Sequence, residues 1–218
     1  MEIPIKNKSF LKKLDTLIED FYRIKGNSVL PAIKSVETDD YEQFISRERL
    51  DALMSTDHRG DPVDYHAIPI GDTRLVNKEF IEFYNHWRFD VPADMGMATC
   101  ALINHYPEKG LTGWHTNWNA NAYQILFTWS KTGDGYFCYL DKEKNEIVKI
   151  QDKPGWQCRW FYFGRKDEPE HHCWHACYTE SERFTLAYKF SNQSKKSEQD
   201  LPAQEMRDEL IEEISTYH

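Results

Sequence analysis

The chain has 218 residues, of which 40% are hydrophobic and 14% aromatic, with a formal net charge of -9. That length and apolar content suffice for one full core with decoration, or at most two small domains, and exclude global disorder. The acidic balance, without any long Lys/Arg run, argues against nucleic acid or an anionic membrane as partner.

Met1-Glu2-Ile3-Pro4-Ile5-Lys6 lacks the apolar core of a signal peptide, and no apolar run approaches membrane-spanning length. The five cysteines, Cys100, Cys138, Cys158, Cys173 and Cys177, are odd in number and form no CxxC pair. Free thiols in a reducing compartment follow, and the expected location is cytoplasmic.

Leu11, Leu14, Leu17, Ile18, Phe21 and Tyr22 recur at helical spacing, which predicts an amphipathic helix over 10–25 ending near Gly26-Asn27. Helices are also expected over 41–54 and 77–87, separated by the turn-rich Asp57-His58-Arg59-Gly60-Asp61-Pro62, and Asp94-Met95-Gly96 reads as a loop. Beyond it the texture changes to short aromatic and β-branched runs between Gly, Pro and Asp breaks. Strands are expected over 97–106, 123–129, 136–140, 146–150, 158–163 and 183–190, the pattern of an antiparallel barrel or sandwich. A polar linker, 191–200, precedes a helix over 203–215. The organisation is therefore a helical region over 1–94, a β core over 95–190, and a linker with a C-terminal helix over 191–218, together one structural domain.

The chemistry concentrates in Gly113-Trp114-His115-Thr116-Asn117, His175-Ala176-Cys177 and Arg183-Phe184-Thr185-Leu186. Fe(II) sites that activate oxygen use two histidines and one carboxylate on one face of the metal. A strand-end His-x-Asp/Glu supplies two of these ligands, because residues i and i+2 point the same way. His115 and His175 fit such a pair, with Asn117 where the carboxylate is expected. Arg183 can grip an organic acid in a bidentate fork, and Thr185, two residues on, shares its face.

Together with Asn104-His105-Tyr106-Pro107-Glu108-Lys109-Gly110, Gly133-Asp134-Gly135-Tyr136-Phe137 and Pro154-Gly155-Trp156, these motifs resemble the 2-oxoglutarate- and Fe(II)-dependent dioxygenases, in particular their prolyl-hydroxylase-like group. The resemblance covers about 90 residues, all in the β core. It implies an α+β protein whose core is a double-stranded β-helix (jelly-roll, cupin-like) with flanking N-terminal helices and a C-terminal helix. It implies His115, Asn117 and His175 around the iron, and Arg183, Thr185 and Tyr106 around the 2-oxoglutarate carboxylate. The implied reaction is hydroxylation of a C–H bond, with 2-oxoglutarate and O2 converted to succinate and CO2 and ascorbate as a reductant. A peptide, protein or small molecule is the expected substrate; oligomeric state is left open.

Asn117 departs from the family pattern, and three readings stand. It ligates through its amide oxygen; or the position passes to water, an anion or a borrowed carboxylate; or the domain has lost turnover and only binds. The first leads, because Arg183 stays in register with His175. The rivals are a non-catalytic β-helix binding module and a cupin-like metalloprotein that does not use 2-oxoglutarate. His171, His172, Cys173 and Cys177 raise structural zinc, but no second ligand pair accompanies them, and His171 and His172 read as an exposed loop. Residues 35–75 and 117–122 are the expected substrate loops.

Overall fold

A computed structural model of the chain describes residues 1–36, 40–56, 58, 60–71, 77–91, 99–117, 123–164, 168–189 and 201–217. The expected turn at 94–96, strand start at 97–98, loop at 118–122 and linker at 191–200 lie outside these residues, as do Asp57 and Arg59.

The elements follow in the order β1 (Glu2–Ile3), α1 (Lys8–Lys25), β2 (Ile33–Lys34), α2 (Arg47–Ser55), β3 (Tyr65–Pro69), α3 (Lys78–Asn85), β4 (Thr99–Tyr106) and β5 (Leu111–His115). They continue with β6 (Tyr123–Ser130), β7 (Tyr136–Asp141), β8 (Glu146–Gln151), β9 (Gly155–Tyr162), β10 (His175–Tyr178), β11 (Arg183–Lys189) and α4 (Leu201–Ser215). Pairing is antiparallel throughout. One sheet runs β1-β9-β6-β11-β4, the other β5-β10-β7-β8, and β3 joins them by pairing with β4 at Ile68 and Pro69 and with β5 at Tyr65 and His66. From β4 to β11 the chain passes back and forth between two facing sheets, except at the β7–β8 hairpin, which stays in the smaller one, the winding of a double-stranded β-helix. The expected fold class holds.

Side-chain alternation explains why both sheets have two uses. In the larger sheet Ile125, Phe127, Cys158, Phe184, Leu186 and Tyr188 face outward into the main apolar cluster, shared with α1, α3 and α4. Helix α1 buries Phe10, Leu14, Leu17 and Phe21 at i, i+4, i+7 and i+11; Leu14, Leu17 and Phe21 belong to the stripe expected from the sequence, Phe10 joins it, and Leu11, Ile18 and Tyr22 are only half-buried at its edge. Phe21 meets Phe184 at 5.2 Å and Phe10 meets Phe127 at 5.1 Å between ring centroids. The intervening residues Gln124, Leu126, Thr128, Arg159, Arg183 and Thr185 face inward and line a cavity between the sheets.

Asn7 fastens the two ends of the chain together. Its Oδ1 accepts from the backbone N–H of Phe10 at 2.9 Å and caps α1, while its Nδ2 donates to the Glu213 carbonyl at 3.2 Å and its own N–H to Ile214 O at 3.1 Å.

Several expectations shift. The helix expected over 41–54 is a short 3-10 turn, Glu42–Ile45, followed by α2, because the Ser46 hydroxyl accepts from Arg49 N and starts a new helix. Helix α3 runs on into a π turn, His86–Asp90, with Trp87 buried. Strands β1, β2, β3, β5 and β10 carried no separate expectation, being two to five residues long. His172 is buried rather than exposed, while its neighbour His171 is exposed as expected. All five cysteines are free thiols. No helix among the described residues is long and apolar enough to cross a membrane.

Candidate metal and organic-acid site

The cavity between the sheets has a volume of about 410 Å3. His115, Asn117 and His175 line it on the smaller sheet, and Arg183, Thr185, Thr128 and Arg159 on the larger, with Tyr106 and Thr112 between. All six residues expected at the site therefore converge on one space.

His115 reaches the cavity through a bulge. On β5 and β10, His115 pairs with His175 and Thr112 with Cys177, so β5 spends one residue more than its partner over this interval. Leu111 and Trp114 face outward into the cluster under α2, whereas Thr112 and His115 both face inward. Strict alternation would have put His115 on Leu111's side; the extra residue re-aims it. The outer side is pinned by Trp114 Nε1, which donates to Ser46 O at 3.0 Å, and by a bidentate Arg49–Asp64 pair at 2.7 and 2.9 Å. Asp64 O in turn accepts from Gly113 N at 2.7 Å.

The two imidazoles share one environment. His115 Nδ1 lies 2.8 Å from Gly113 O, and His175 Nδ1 lies 2.8 Å from Cys173 O. A carbonyl only accepts, so each Nδ1 carries the hydrogen and each Nε2 keeps a lone pair. Ring centroids stand 4.1 Å apart. Burial lowers both pKa values: His115 falls to about 4, and His175 falls well below its ordinary value with His115 adding to the effect. Phe137 and Phe163 wall the His175 ring at 5.7 and 4.5 Å.

Asn117 lies just past the end of β5, with Nδ2 3.5 Å from His175 Nε2. Rotating the amide by half a turn would exchange this donor for an oxygen. No group of three His, Cys, Asp or Glu able to hold a metal exists among the described residues. The donors that this end of the cavity offers are two imidazole nitrogens and, after that rotation, one amide oxygen. Asp61, unforeseen in the sequence, lines the same cavity, and its charge opposes the fall in the His115 pKa. Its loop is latched by Gly60 N donating to Thr116 Oγ1 at 3.1 Å and Thr116 N donating to Gly60 O at 3.2 Å.

The other end is charged. Arg183 Nε donates to Asp152 Oδ2 at 2.8 Å, and Nη1 donates to Thr185 Oγ1 at 2.7 Å. Tyr106 presents its ring to the guanidinium at 5.4 Å, and its hydroxyl is 3.1 Å from Thr112 Oγ1. Burial opposes the Arg183 charge, but Asp152, with smaller help from Cys177 and Tyr106, holds the guanidinium above its ordinary pKa. Arg183 does not pair with Glu180 or Glu182, its neighbours in sequence. Asp152, in the turn between β8 and β9, takes that part, and Gly135 makes room for it: a Cβ there would stand 2.9 Å from Asp152 Oδ2. Arg159 Nη1 approaches Asp152 Oδ1 at 3.5 Å, and its Nη2 donates to Gln157 Oε1 at 2.8 Å.

No protein-family model matches the chain, and no curated protein does. Among solved structures it is similar to a Pseudomonas putida prolyl-4-hydroxylase, at 11% identity over 87% of this chain and 91% of that one, with a TM-score of 0.41. A recombinant oxalate oxidase in complex with glycolate matches at 12% identity over 46% of this chain and 45% of that one, TM-score 0.32. Hydroxypropylphosphonic acid epoxidase from S. wedmorenis matches at 13% identity over 58% and 50%, TM-score 0.29. The chain spans less than half the length of the oxalate oxidase chain it matches. These likenesses concern the fold and say nothing of the chemistry.

Proposed function

We propose that the protein is a 2-oxoglutarate- and Fe(II)-dependent oxygenase that hydroxylates a C–H bond of a peptide, protein or small-molecule substrate. The observation that carries the reading is one cavity with two neutral imidazoles at one end and a buried, paired arginine at the other. Those are the two things a metal-chelating dicarboxylic acid needs. His115 and His175 would hold the metal through Nε2, with Asn117 as an oxygen donor after rotation of its amide. Bound iron supplies the oxidising chemistry, with 2-oxoglutarate and O2 consumed to give succinate and CO2.

The remaining steps belong to the side chains. Arg183 orients the far carboxylate of the acid, with Thr185 and Tyr106 hydroxyls facing it. Phe137, Phe161 and Phe163 line the cavity and keep water from the reacting end. The Nδ1–H bonds to Gly113 O and Cys173 O fix both rings, so no imidazole must lose a proton before metal binds. Turnover is tested by supplying anaerobically iron-loaded protein with 2-oxoglutarate, O2 and ascorbate, and following succinate by mass spectrometry. Succinate above that of an Arg183→Ala control is expected.

A second reading rests on Asn117. An amide at the position of the expected carboxylate is the arrangement a binding module would retain after losing turnover. That reading predicts 2-oxoglutarate binding without succinate at any iron concentration.

A further inference from the structure

We infer that Arg159 makes the cavity select a ligand with a singly charged carboxylate at its Arg183 end. This deepens the proposed function and depends on it only for the name of the acid. The side chains of Arg183, Arg159 and Asp152 are 2%, 4% and 0% exposed. Two guanidinium groups therefore share one carboxylate out of water, and one positive charge is left over. Asp152 bonds closely to Arg183, at 2.8 Å, and more loosely to Arg159, at 3.5 Å, so the surplus lies on the Arg159 side.

Among the described residues no carboxylate but Asp152 bonds to Arg159; Asp61 also lines the cavity, but its charge acts at the His115 end. The two histidines that share the cavity are neutral. Glu2, paired across the strands with Arg159, is exposed and pairs with Lys153 at 2.7 Å. Glu182 is directed to Lys131 at 2.9 Å and to His105 at 3.5 Å. A buried guanidinium fixed only for packing would have its donors satisfied. Arg159 Nε, by contrast, is buried with no hydrogen-bond partner, and the residue lines the cavity.

The strands place both arginines on one floor. Leu126 pairs with Arg159 and Ser130 with Arg183, so the two flank β6 from opposite sides, with inward-facing Thr128 between. A carboxylate there meets Arg183 and Arg159 together and brings the buried charge to zero. A methyl group would leave the surplus in place, and a dianion would overshoot it. Arg183 alone, tied to Asp152, offers geometry without net charge; Arg159 supplies the charge.

The experiment is calorimetric binding to the 218-residue chain loaded with Fe(II) in the absence of O2, with succinate production left out of the readout. The probes are glutarate, pentanoate, 2-oxoglutarate, 2-oxopentanoate and inorganic phosphate, and circular dichroism checks that each variant is folded. Wild-type protein should prefer glutarate to pentanoate, and 2-oxoglutarate to 2-oxopentanoate. Arg159→Gln should reduce each preference by about 10–100-fold, the scale of one charge-assisted hydrogen bond. Arg159→Lys should recover part of it. The double variant Asp152→Asn with Arg159→Gln should also recover it, because it restores one unpaired charge; a purely structural role for Arg159 predicts no such rescue.

The inference is overturned if folded Arg159→Gln keeps the wild-type preferences, if the double variant binds as weakly as the single one, or if phosphate dianion outcompetes glutarate. Should glutarate be preferred through Arg159 while the keto group adds nothing, the charge assignment stands and the 2-oxoglutarate reading falls. Should 2-oxoglutarate bind tightly and equally to both proteins, the reverse holds.

Discussion

At one end of the cavity two guanidinium groups and a carboxylate are packed out of water; at the other stand two uncharged imidazoles and an amide. The first end is held by charge and keeps one positive charge in surplus. The second holds its shape through backbone contacts, Nδ1–H to Gly113 O and to Cys173 O, and its two imidazoles and amide commit no charge until a ligand arrives. Removing a charged group should therefore disturb folding as well as binding at the first end, and mainly binding at the second.

The strongest test of that contrast is Asp152→Ala. It strands two buried guanidinium groups and should cost about 3–5 kcal/mol of stability in urea unfolding. Arg183→Ala should cost clearly less, since Arg159 remains to pair Asp152, while abolishing acid binding. Equal losses would show that the pairing is not shared.

Acid should expose the imidazole end next. In the unfolded chain histidine titrates near 6.5, whereas folded His115 stays neutral to about pH 4 and His175 is also lowered. Below pH 6.5 the unfolded chain takes up protons that the folded one refuses. Stability is thus full above about pH 6.5 and falls with acidification, by up to about 1.4 kcal/mol per pH unit for each fully buried histidine and less for half-buried His115. His175→Gln should flatten the pH profile of thermal unfolding; an unchanged slope would assign the acid sensitivity elsewhere.

Asn117→Asp brings a charge to a position that lacks one, between the imidazoles and the Asp61 loop. Metal affinity, read by competition with a chelator, should rise by about tenfold or more, the scale of improving a ligand's environment. No change would remove Asn117 from the metal. Thr185→Val is the mildest change: loss of one neutral hydroxyl partner should weaken acid binding by about 0.5–1.5 kcal/mol, with Arg183 still in place.

The sequence made some residues of each end legible and hid others. His115, His175, Arg183 and Thr185 stand in short motifs whose order alone suggests a site, and α1 announces itself by the helical spacing of Leu14, Leu17 and Phe21. Arg159 and Asp152 carry no such signal. An arginine between Cys158 and Trp160 reads as an exposed strand residue, and an aspartate before Lys153-Pro154 reads as a turn former. Their burial depends on β9 pairing with β6 and on Gly135, at the open end of the β7–β8 hairpin, leaving room for Asp152, which are matters of pairing and packing rather than of local sequence. The bulge that turns His115 inward was likewise invisible, because register is a property of β5 and β10 together. Two-residue strands such as β1 and β2 are too short for periodicity to register.

The bonds made by Asn7 have a consequence for how the molecule comes apart. The same side chain starts α1 and grips α4, more than two hundred positions away. Amide protons in the first turn of α1 and the last turn of α4 should then exchange with solvent at a common rate, as one cooperative opening unit. Asn7→Ala should speed both together, so that fraying at one end of the chain is felt at the other.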